Sequence, residues 1–283
     1  MIIFENHVMK NHSNMKVGGV AKRFIYIEDK NELKEVFDKY ENIFLIGNGT
    51  NTLIDDEELD ITFVSLKKLD KVEEVAEGLV RVEAGLDFNK LISFMNLNNY
   101  TGLENLAGIP GSVGGLVYMN GGAYGSEIFD CIKEIEIFDD NHEIRTLKRD
   151  EVGFSYRHTE IQAKKWVIIS ATFEFKRGFD LQKVIDIQAL RESKQPLDKP
   201  NLGSTFKNPS GDFSARLISE AGLKGTKIGG AQVSEKHPNF IVNDGTATFK
   251  DILNILATVK STIKEKYNIQ LEEEIIILKN KSR

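Results

Sequence analysis

Gly108–Gly125 reads GIPGSVGGLVYMNGGAYG, and seven of its eighteen residues are glycine, against 23 in the whole chain of 283. Glycine weakens helices and strands, so clustering it this way brings no structural gain. It does let backbone come within hydrogen-bonding distance of a ligand, and successive N–H groups in such turns form anion-binding concavities. A Gly-rich flexible linker is the plainer reading. Against it, Ile109, Val113, Leu116, Val117, Tyr118 and Met119 are interleaved with the glycines, and a solvated linker would not carry them. The run predicts a well-packed loop gripping a phosphate-bearing cofactor.

A second glycine cluster, Gly47-Asn48-Gly49-Thr50-Asn51-Thr52-Leu53, follows the apolar run Ile43–Ile46, which reads as a buried strand. A strand entering Gly-x-Gly suggests a dinucleotide fingerprint, but the third glycine would fall at Thr52, and Asp55-Asp56-Glu57-Glu58 is a poor place to open a pyrophosphate-binding helix. No G-x-x-x-x-G-K-[ST] occurs. Alone, the cluster is also compatible with an ordinary turn. Two separate Gly-rich loops in one chain favour a long, diphosphate-containing cofactor.

Composition sets the limits. A chain of this length buries a good core and divides into two or three subdomains. The apolar fraction of 41% and charged fraction of 28% are those of a soluble protein. A formal charge of −6 argues against general nucleic-acid binding. No apolar stretch approaches a membrane span, and MIIFENHVMKNH lacks a signal-peptide layout. The single cysteine, Cys131, fits a reducing, cytoplasmic setting and reads as a packed thiol rather than a nucleophile. His7, His12, His142, His158 and His237 show no metal-ligand spacing, so no metal is expected. Without a heptad or broad apolar stripe, a monomer is expected.

Strand and helix signals are mixed along the chain. Asp29 with Leu33, Val36, Phe37 and Tyr40 predicts a capped helix, Glu32 standing at capping-box spacing. Val80, Val82 and Ala84 alternate as a strand, and Asp87 caps a helix bearing Leu91, Ile92, Phe94 and Met95. Ile135–Phe138 and Glu143–Leu147 flank Asp139-Asp140-Asn141 as a hairpin. Val167, Ile169, Ala171, Phe173 and Phe175 make a period-two strand, and Asp180 caps a helix with Leu181, Val184, Ile185, Ile187 and Leu190. ESKQPLDKPN, Glu192–Asn201, reads as a subdomain junction. A short helix around Ala215–Ala221 follows, then a long helix from Thr248 with Asp251 at capping-box spacing, and a last strand Leu271–Leu278. Strands and helices without strict alternation indicate α+β.

Beyond the junction, Gly203-Ser204-Thr205-Phe206-Lys207-Asn208-Pro209 packs a hydroxyl, a cation and an amide into one turn. It suits a ligand phosphate or a proton donor, and equally a Ser/Thr turn with a surface lysine. No G-x-S-x-G elbow surrounds Ser204. In Ser155-Tyr156-Arg157-His158-Thr159 an inward arginine would bind carboxylate or phosphate at two points, but a rim arginine stacked on tyrosine is the simpler reading. Ser234–Phe240, SEKHPNF, reads as a polar surface turn. In Leu271-Glu272-Glu273-Glu274-Ile275, Glu272 and Glu274 share one face of a strand and Glu273 takes the other, a solvated edge by default.

Together, GNGTNTLI, GIPGSVGG…MNGGAYG, SYRHT, GSTFKNP, AGLKG…GGAQVSEKHPNF and LEEE stand in an order and spacing that resemble the UDP-N-acetylenolpyruvoylglucosamine reductase family over nearly the whole chain, from Asn14-Met15-Lys16-Val17-Gly18-Gly19 onward. The resemblance implies a two-lobed FAD-binding domain of the vanillyl-alcohol-oxidase type plus a C-terminal α+β substrate domain. Lobe one would span 1–70, joined by 271–283; lobe two would span 71–193 and the substrate domain 194–270. FAD would be held by Gly47, Asn48, Gly49, Thr50 and Asn51, and by Gly108, Pro110, Gly111, Ser112, Gly114, Gly115, Asn120, Gly122 and Ala123, mostly through backbone N–H groups. NADPH would reduce the flavin and leave, and a UDP-sugar with an enolpyruvyl ether would take its place.

That substrate explains the residue types. Hydride from flavin N5 adds to the terminal alkene carbon, and charge spreads onto the carboxylate, where it needs preorganised donors. By resemblance Arg157 and Glu274 stabilise that charge and Ser204 delivers the proton. A Glu274 that donates must be protonated, which calls for a raised pKa. Lys207, Asn208, Tyr124 and Tyr156 would lie along the substrate. Two departures stand out. The SYR motif commonly ends in serine where this chain has Thr159, and Tyr156–Gly203 has no room for the tyrosine-bearing loop of the larger subtype, which indicates the shorter one. Another flavin oxidase of the same fold would have no use for GSTFKNP with LEEE, and a nucleotide-sugar-binding protein without redox chemistry would be colourless.

Overall fold

The computed structural model describes residues 1–280. The expected closing segment 271–283 therefore has its last three positions outside the described residues. By proximity the chain divides into two compact units. One comprises Met1–Glu5, Arg23–Asn48 and Ile61–Leu190; the other comprises Asn6–Lys22, Gly49–Asp60 and the remainder from Arg191. Helices and strands are mixed within each, an α+β architecture. Helices are numbered in chain order: α1 Glu32–Lys39, α2 Phe88–Leu97, α3 Val113–Tyr118, α4 Glu160–Lys164, α5 Leu181–Lys194, α6 Ser214–Glu220 and α7 Phe249–Tyr267.

The first unit is built on a five-stranded antiparallel sheet in the order Ile144–Lys148, Ile132–Phe138, Val167–Glu174, Leu79–Glu83, Val72–Ala76. Its middle strand is buried over seven of eight residues, so both faces are covered. Leu91, Met95, Val113 and Val117 from α2 and α3 pack on one face with Val80, Val82, Ile135, Ala171 and Phe173. Leu33 and Val36 of α1 pack with Val64, Phe138, Val167 and Ile169 in a second core. The strand therefore does not keep one side inward throughout, as its period-two pattern predicts. Glu136 pairs with Ser170 but Ile137 with Ile168, so Ile169 is one residue too many, a bulge that flips the side-chain alternation.

Two helix predictions change. Asp29 does not cap α1: its carboxylate accepts the Asn31 N–H in a local turn, the helix opens at Glu32, and Glu32 reaches back to the N–H groups of Glu28 and Asp29. On α5 only Val184 of the expected inward set is fully buried, while Leu181 and Ile185 are 51% and 48% exposed. The hairpin at Asp139 forms as its sequence indicates, with the aspartate accepting from the N–H groups of Asn141 and Glu143.

In the second unit a meander of Lys227–Ile228, Ala231–Val233 and Ile241–Asn243 lies with α6 and α7 around Leu217, Ile218, Val233, Ile241, Ile252, Leu256, Val259 and Ile263. The capping box closes α7 at its start: Thr248 Oγ1 accepts from Asp251 N–H and the Asp251 carboxylate from Thr248 N–H. The predicted strand Leu271–Leu278 is regular only over Ile276–Leu278, which pairs in parallel with Thr52–Ile54. Among the described residues no helix is long and apolar enough to cross a membrane, and no three His, Cys, Asp or Glu side chains are grouped to hold a metal ion.

Candidate active site

The first half of the glycine-rich run is a helix head rather than a loop. Ser112 caps α3, its Oγ accepting the Gly115 N–H at 3.2 Å. Val113 N–H donates to Leu86 O and Gly114 N–H to Ala84 O, each at 2.8 Å. A Cβ on Gly114 would stand 2.7 Å from that of Ala84. These N–H groups are engaged inside the protein; Gly114 serves the close approach of α3 to the sheet, and the exposed Gly115 lies beside the Ser112 hydroxyl that caps the helix. That corrects the expectation that they present backbone donors to the cofactor.

The second half is shaped for display. Asn120 is fully buried in the left-handed region, φ +44°, and its Nδ2 donates to Glu127 Oε2 at 2.8 Å and to Ser155 O at 3.0 Å. Ala123 pairs with Ser126 across a two-residue turn in which Tyr124 and Gly125 both have positive φ, +50° and +80°. This conformation is costly for a tyrosine, and here it leaves Tyr124 41% exposed at a hairpin tip. Ser155 pairs with His158 across a similar tip, Tyr156-Arg157, with Arg157 at φ +53°. The guanidinium donates to Gly122 O at 2.7 Å and lies over the Tyr156 ring. Arg157 thus docks onto the glycine run, and the stacking anticipated from sequence is present. Thr159 donates its hydroxyl to Tyr118 O at 2.8 Å, a bond that serine could also make.

The GNGTN cluster is divided between the units. In the first, a Cβ on Gly47 would meet Ser112 Oγ at 2.8 Å, and Asn48 Nδ2 donates to Asp87, the cap of α2. Gly47 and Asn48 are therefore brought against the Ser112 end of the other glycine motif. In the second, Gly49 has φ +65°, and a Cβ there would fall 1.8 Å from His12 O, so only glycine fits. Asn51 Nδ2 donates to Glu274 O at 3.1 Å, while Asn51 O accepts from Ile276 N–H at 2.9 Å.

The second unit also brings GSTFKNP and LEEE together. Glu274 N–H donates to Thr205 O at 2.8 Å and Lys207 N–H to Glu272 O at 2.9 Å. Ser204 is half-buried beside Gly203, whose Cβ direction is open, whereas Thr205 is 3% exposed. Glu273 is held by Lys260 at 2.8 and 3.0 Å. Glu272 is largely exposed, its carboxylate 3.9 Å from Lys207 Nζ. Glu274 is half-buried. Asn208 accepts the Ser214 N–H at the start of α6.

Sequence reasoning passed over one cluster in this unit. Arg191 is buried, and Gln195 Oε1 and His237 Nδ1 are buried without a hydrogen-bond partner among the described residues. Burial, with the nearby charge of Lys194, holds His237 below its usual pKa, so it is neutral at pH 7. Lys236 donates to Glu192 O, tying SEKHPNF to the end of α5. The signal was the i, i+3 spacing of Arg191 and Lys194, of which only Lys194 lies in the segment read as a junction.

The residues fit FAD. Asn120 Oδ1 is enclosed by protein with no partner among the described residues, whereas Gly125 at the neighbouring hairpin tip has open space on its side-chain side. A Cβ would fill the approach of Gly47 to Ser112, so the two glycine motifs meet backbone-first, a cradle of the kind a diphosphate needs.

Comparison with known proteins agrees. Residues 195–278 match the C-terminal domain of UDP-N-acetylenolpyruvoylglucosamine reductase, and residues 21–148 match an FAD binding domain. The UDP-N-acetylenolpyruvoylglucosamine reductase of Fusobacterium nucleatum is 59% identical over 281 residues, covering 99% of this chain and 100% of that protein. That of Caldanaerobacter subterraneus is 39% identical, covering 99% and 94%. The crystal structure of the Thermus caldophilus enzyme superposes with a TM-score of 0.86 at 29% identity, covering 98% of this chain and 100% of that one. With relatives this similar along its full length and motifs placed as described, the chain belongs to the UDP-N-acetylenolpyruvoylglucosamine reductase family.

Proposed function

We infer that this chain is an FAD-dependent oxidoreductase that uses NADPH to reduce UDP-N-acetylglucosamine enolpyruvate to UDP-N-acetylmuramate, in peptidoglycan precursor synthesis. Besides the family, one observation carries the reading. The Glu274 N–H to Thr205 C=O bond of 2.8 Å sets Ser204 and Glu274, 70 positions apart, on adjoining backbone.

Bound FAD supplies the hydride that NADPH delivers to it. The chain's own residues manage charge and proton. Arg157, as a fixed cation, offsets the charge that gathers on the substrate carboxylate. Glu274, protonated, donates a hydrogen bond to the same group. Ser204 gives its hydroxyl proton to the carbon beside that carboxylate, a strongly basic acceptor, and regains one from solvent. Lys207 and Asn208 bind the sugar diphosphate, and Arg191 and Lys194 add cations to it. Tyr124 and Tyr156, on their hairpin tips, lie along the substrate. Gly47–Asn51 and Gly108, Pro110, Gly111, Ser112, Asn120, Gly122 and Ala123 hold FAD, with Gly114 and Gly115 shaping the loop. The lobes are 1–70 with 271–283, and 71–193, for the cofactor, and 194–270 for the substrate. The enzyme works in the cytoplasm as a monomer.

The test is flavin absorbance followed anaerobically. NADPH should bleach the yellow protein and the enolpyruvyl UDP-sugar should restore it. A folded but colourless protein, or a reduced flavin that the sugar leaves bleached, would sink the reading.

A further inference from the structure

Asn239 makes three bonds to the segment that follows Ser204. Its backbone carbonyl accepts the Thr205 N–H at 2.8 Å. Its carboxamide accepts the Phe206 N–H at 3.0 Å and donates to the Phe206 C=O at 2.8 Å. Both Asn239 and Phe206 are buried, so water cannot replace these bonds when one is lost. Only a carboxamide offers an acceptor and a donor side by side to one residue's N–H and C=O; a carboxylate of the same shape would set an oxygen against the carbonyl. The backbone carbonyl thus holds the peptide group that joins Ser204 to Thr205, and the carboxamide holds the two peptide groups that follow it. Through Thr205 O they also fix the main chain of Glu274, which Asn51 Nδ2 holds from its other side.

We propose that Asn239 is a positioning residue for proton transfer: its carboxamide clamps the Phe206 backbone so that the Ser204 hydroxyl and Glu274 keep one fixed geometry. The proposal rests on the reading of Ser204 as proton donor. The carbon that receives the proton becomes a new stereocentre. A donor held at one angle protonates one face, whereas a loosened donor, or water in its place, reaches both. Loss of the clamp should therefore slow proton delivery and scramble the product at that carbon. A merely structural fault would do neither selectively.

The experiment compares the holoenzyme with Asn239→Ala, Asn239→Ser and, as reference, Ser204→Ala. It measures FAD content, flavin reduction by NADPH, flavin reoxidation by UDP-N-acetylglucosamine enolpyruvate, and the configuration of the product by chiral chromatography. Asn239→Ala should keep its FAD and its reduction rate within twofold. Its reoxidation should slow about 10–100-fold, the scale of a small misplacement of a reacting group, and its product should be of mixed configuration. Asn239→Ser, which can keep one of the two side-chain bonds, should fall between. Wild-type reoxidation in Asn239→Ala, equal slowing of both half-reactions, or a slow reaction giving a single configuration each overturns the proposal. So does failure of both Asn239 variants to fold or to take up flavin, which makes the residue a scaffold element. Ser204→Ala tells the two readings apart. If it reoxidises at the wild-type rate the donor assignment itself falls, whereas if it is slow and Asn239→Ala is not, only the clamp falls.

Discussion

Arg157 is both anchored and exposed to consequence: its guanidinium grips Gly122 O and covers Tyr156, and the proposed chemistry asks it to face a developing anion. Arg157→Ala should lower the rate of flavin reoxidation by substrate ~10²–10³-fold, the usual cost of one lost oxyanion donor, and leave reduction by NADPH near normal. Stopped-flow of the two half-reactions decides it, and equal slowing of both would reject the role. Two of the three glutamates separate in the same assay. Glu274→Gln should slow reoxidation steeply. Glu273→Gln should leave rates unchanged and cost about 0.5–1 kcal/mol in thermal stability through the lost Lys260 pair, and the reverse ordering would reassign the acid. The roles proposed for Ser204, Arg157 and Glu274 came only from the resemblance of their motifs, since the residues by themselves read as readily as a Ser/Thr turn, a rim arginine and a solvated edge. Asn239 was not legible, since its partner Phe206 lies 33 residues away and nothing local marks an amide that closes on distant backbone.

At the scale of elements, α3 shows glycine used for contact rather than freedom. Gly114 is pressed against Ala84, so Gly114→Val is expected to unseat the helix from the sheet and to lower stability by about 1–3 kcal/mol, as overpacking does. A thermal melt of the flavin-free protein reads this directly, and an unchanged melting temperature would return Gly114 to the list of ligand-facing residues. The same distinction marks what local pattern can convey. The Thr248–Asp251 box announced α7 because cap and partner are three residues apart. The bulge at Ile169 was invisible because it exists only relative to the neighbouring strand. The apolar residues of α5 gave a helix but not its face, because the covering surface meets only Val184 fully.

Across the first unit as a whole, Glu136 is the point where distant parts are electrostatically tied. Lys30 from before α1 and Arg81 from the sheet both reach it, at 2.5 and 2.9 Å, and Ser170 adds a third bond at 3.2 Å. Burial alone would raise its pKa, but these bonds outweigh it and hold the carboxyl below its ordinary value. A carboxylate depressed in the folded state stabilises fully above the unfolded pKa, about 4.5, and loses that contribution as pH falls through the folded value. Glu136→Gln should therefore melt lower than wild type at pH 7, by the equivalent of about 1 kcal/mol for a partly solvated pair, and the gap should close below about pH 4.5. A gap that does not narrow at all as the pH is lowered below 4.5 would place the effect in packing rather than charge.

The parallel pairing of Ile276–Leu278 with Thr52–Ile54, beside the bond from Asn51 to Glu274, also sets a schedule. Asn51 and Glu274 are separated by 223 residues. At ~5–20 residues per second on the ribosome, the early strand waits roughly 10–45 s for its partner. Throughout that interval an unpaired apolar edge, Thr52-Leu53-Ile54, stands ready to meet the wrong neighbour. A nascent chain halted between Asn208 and Leu271 has both glycine motifs already made and no Glu274 N–H to meet Thr205 C=O. The backbone arrangement that joins Glu274 to Thr205 is therefore completed only when this last strand has been made, long after the strands of the first unit.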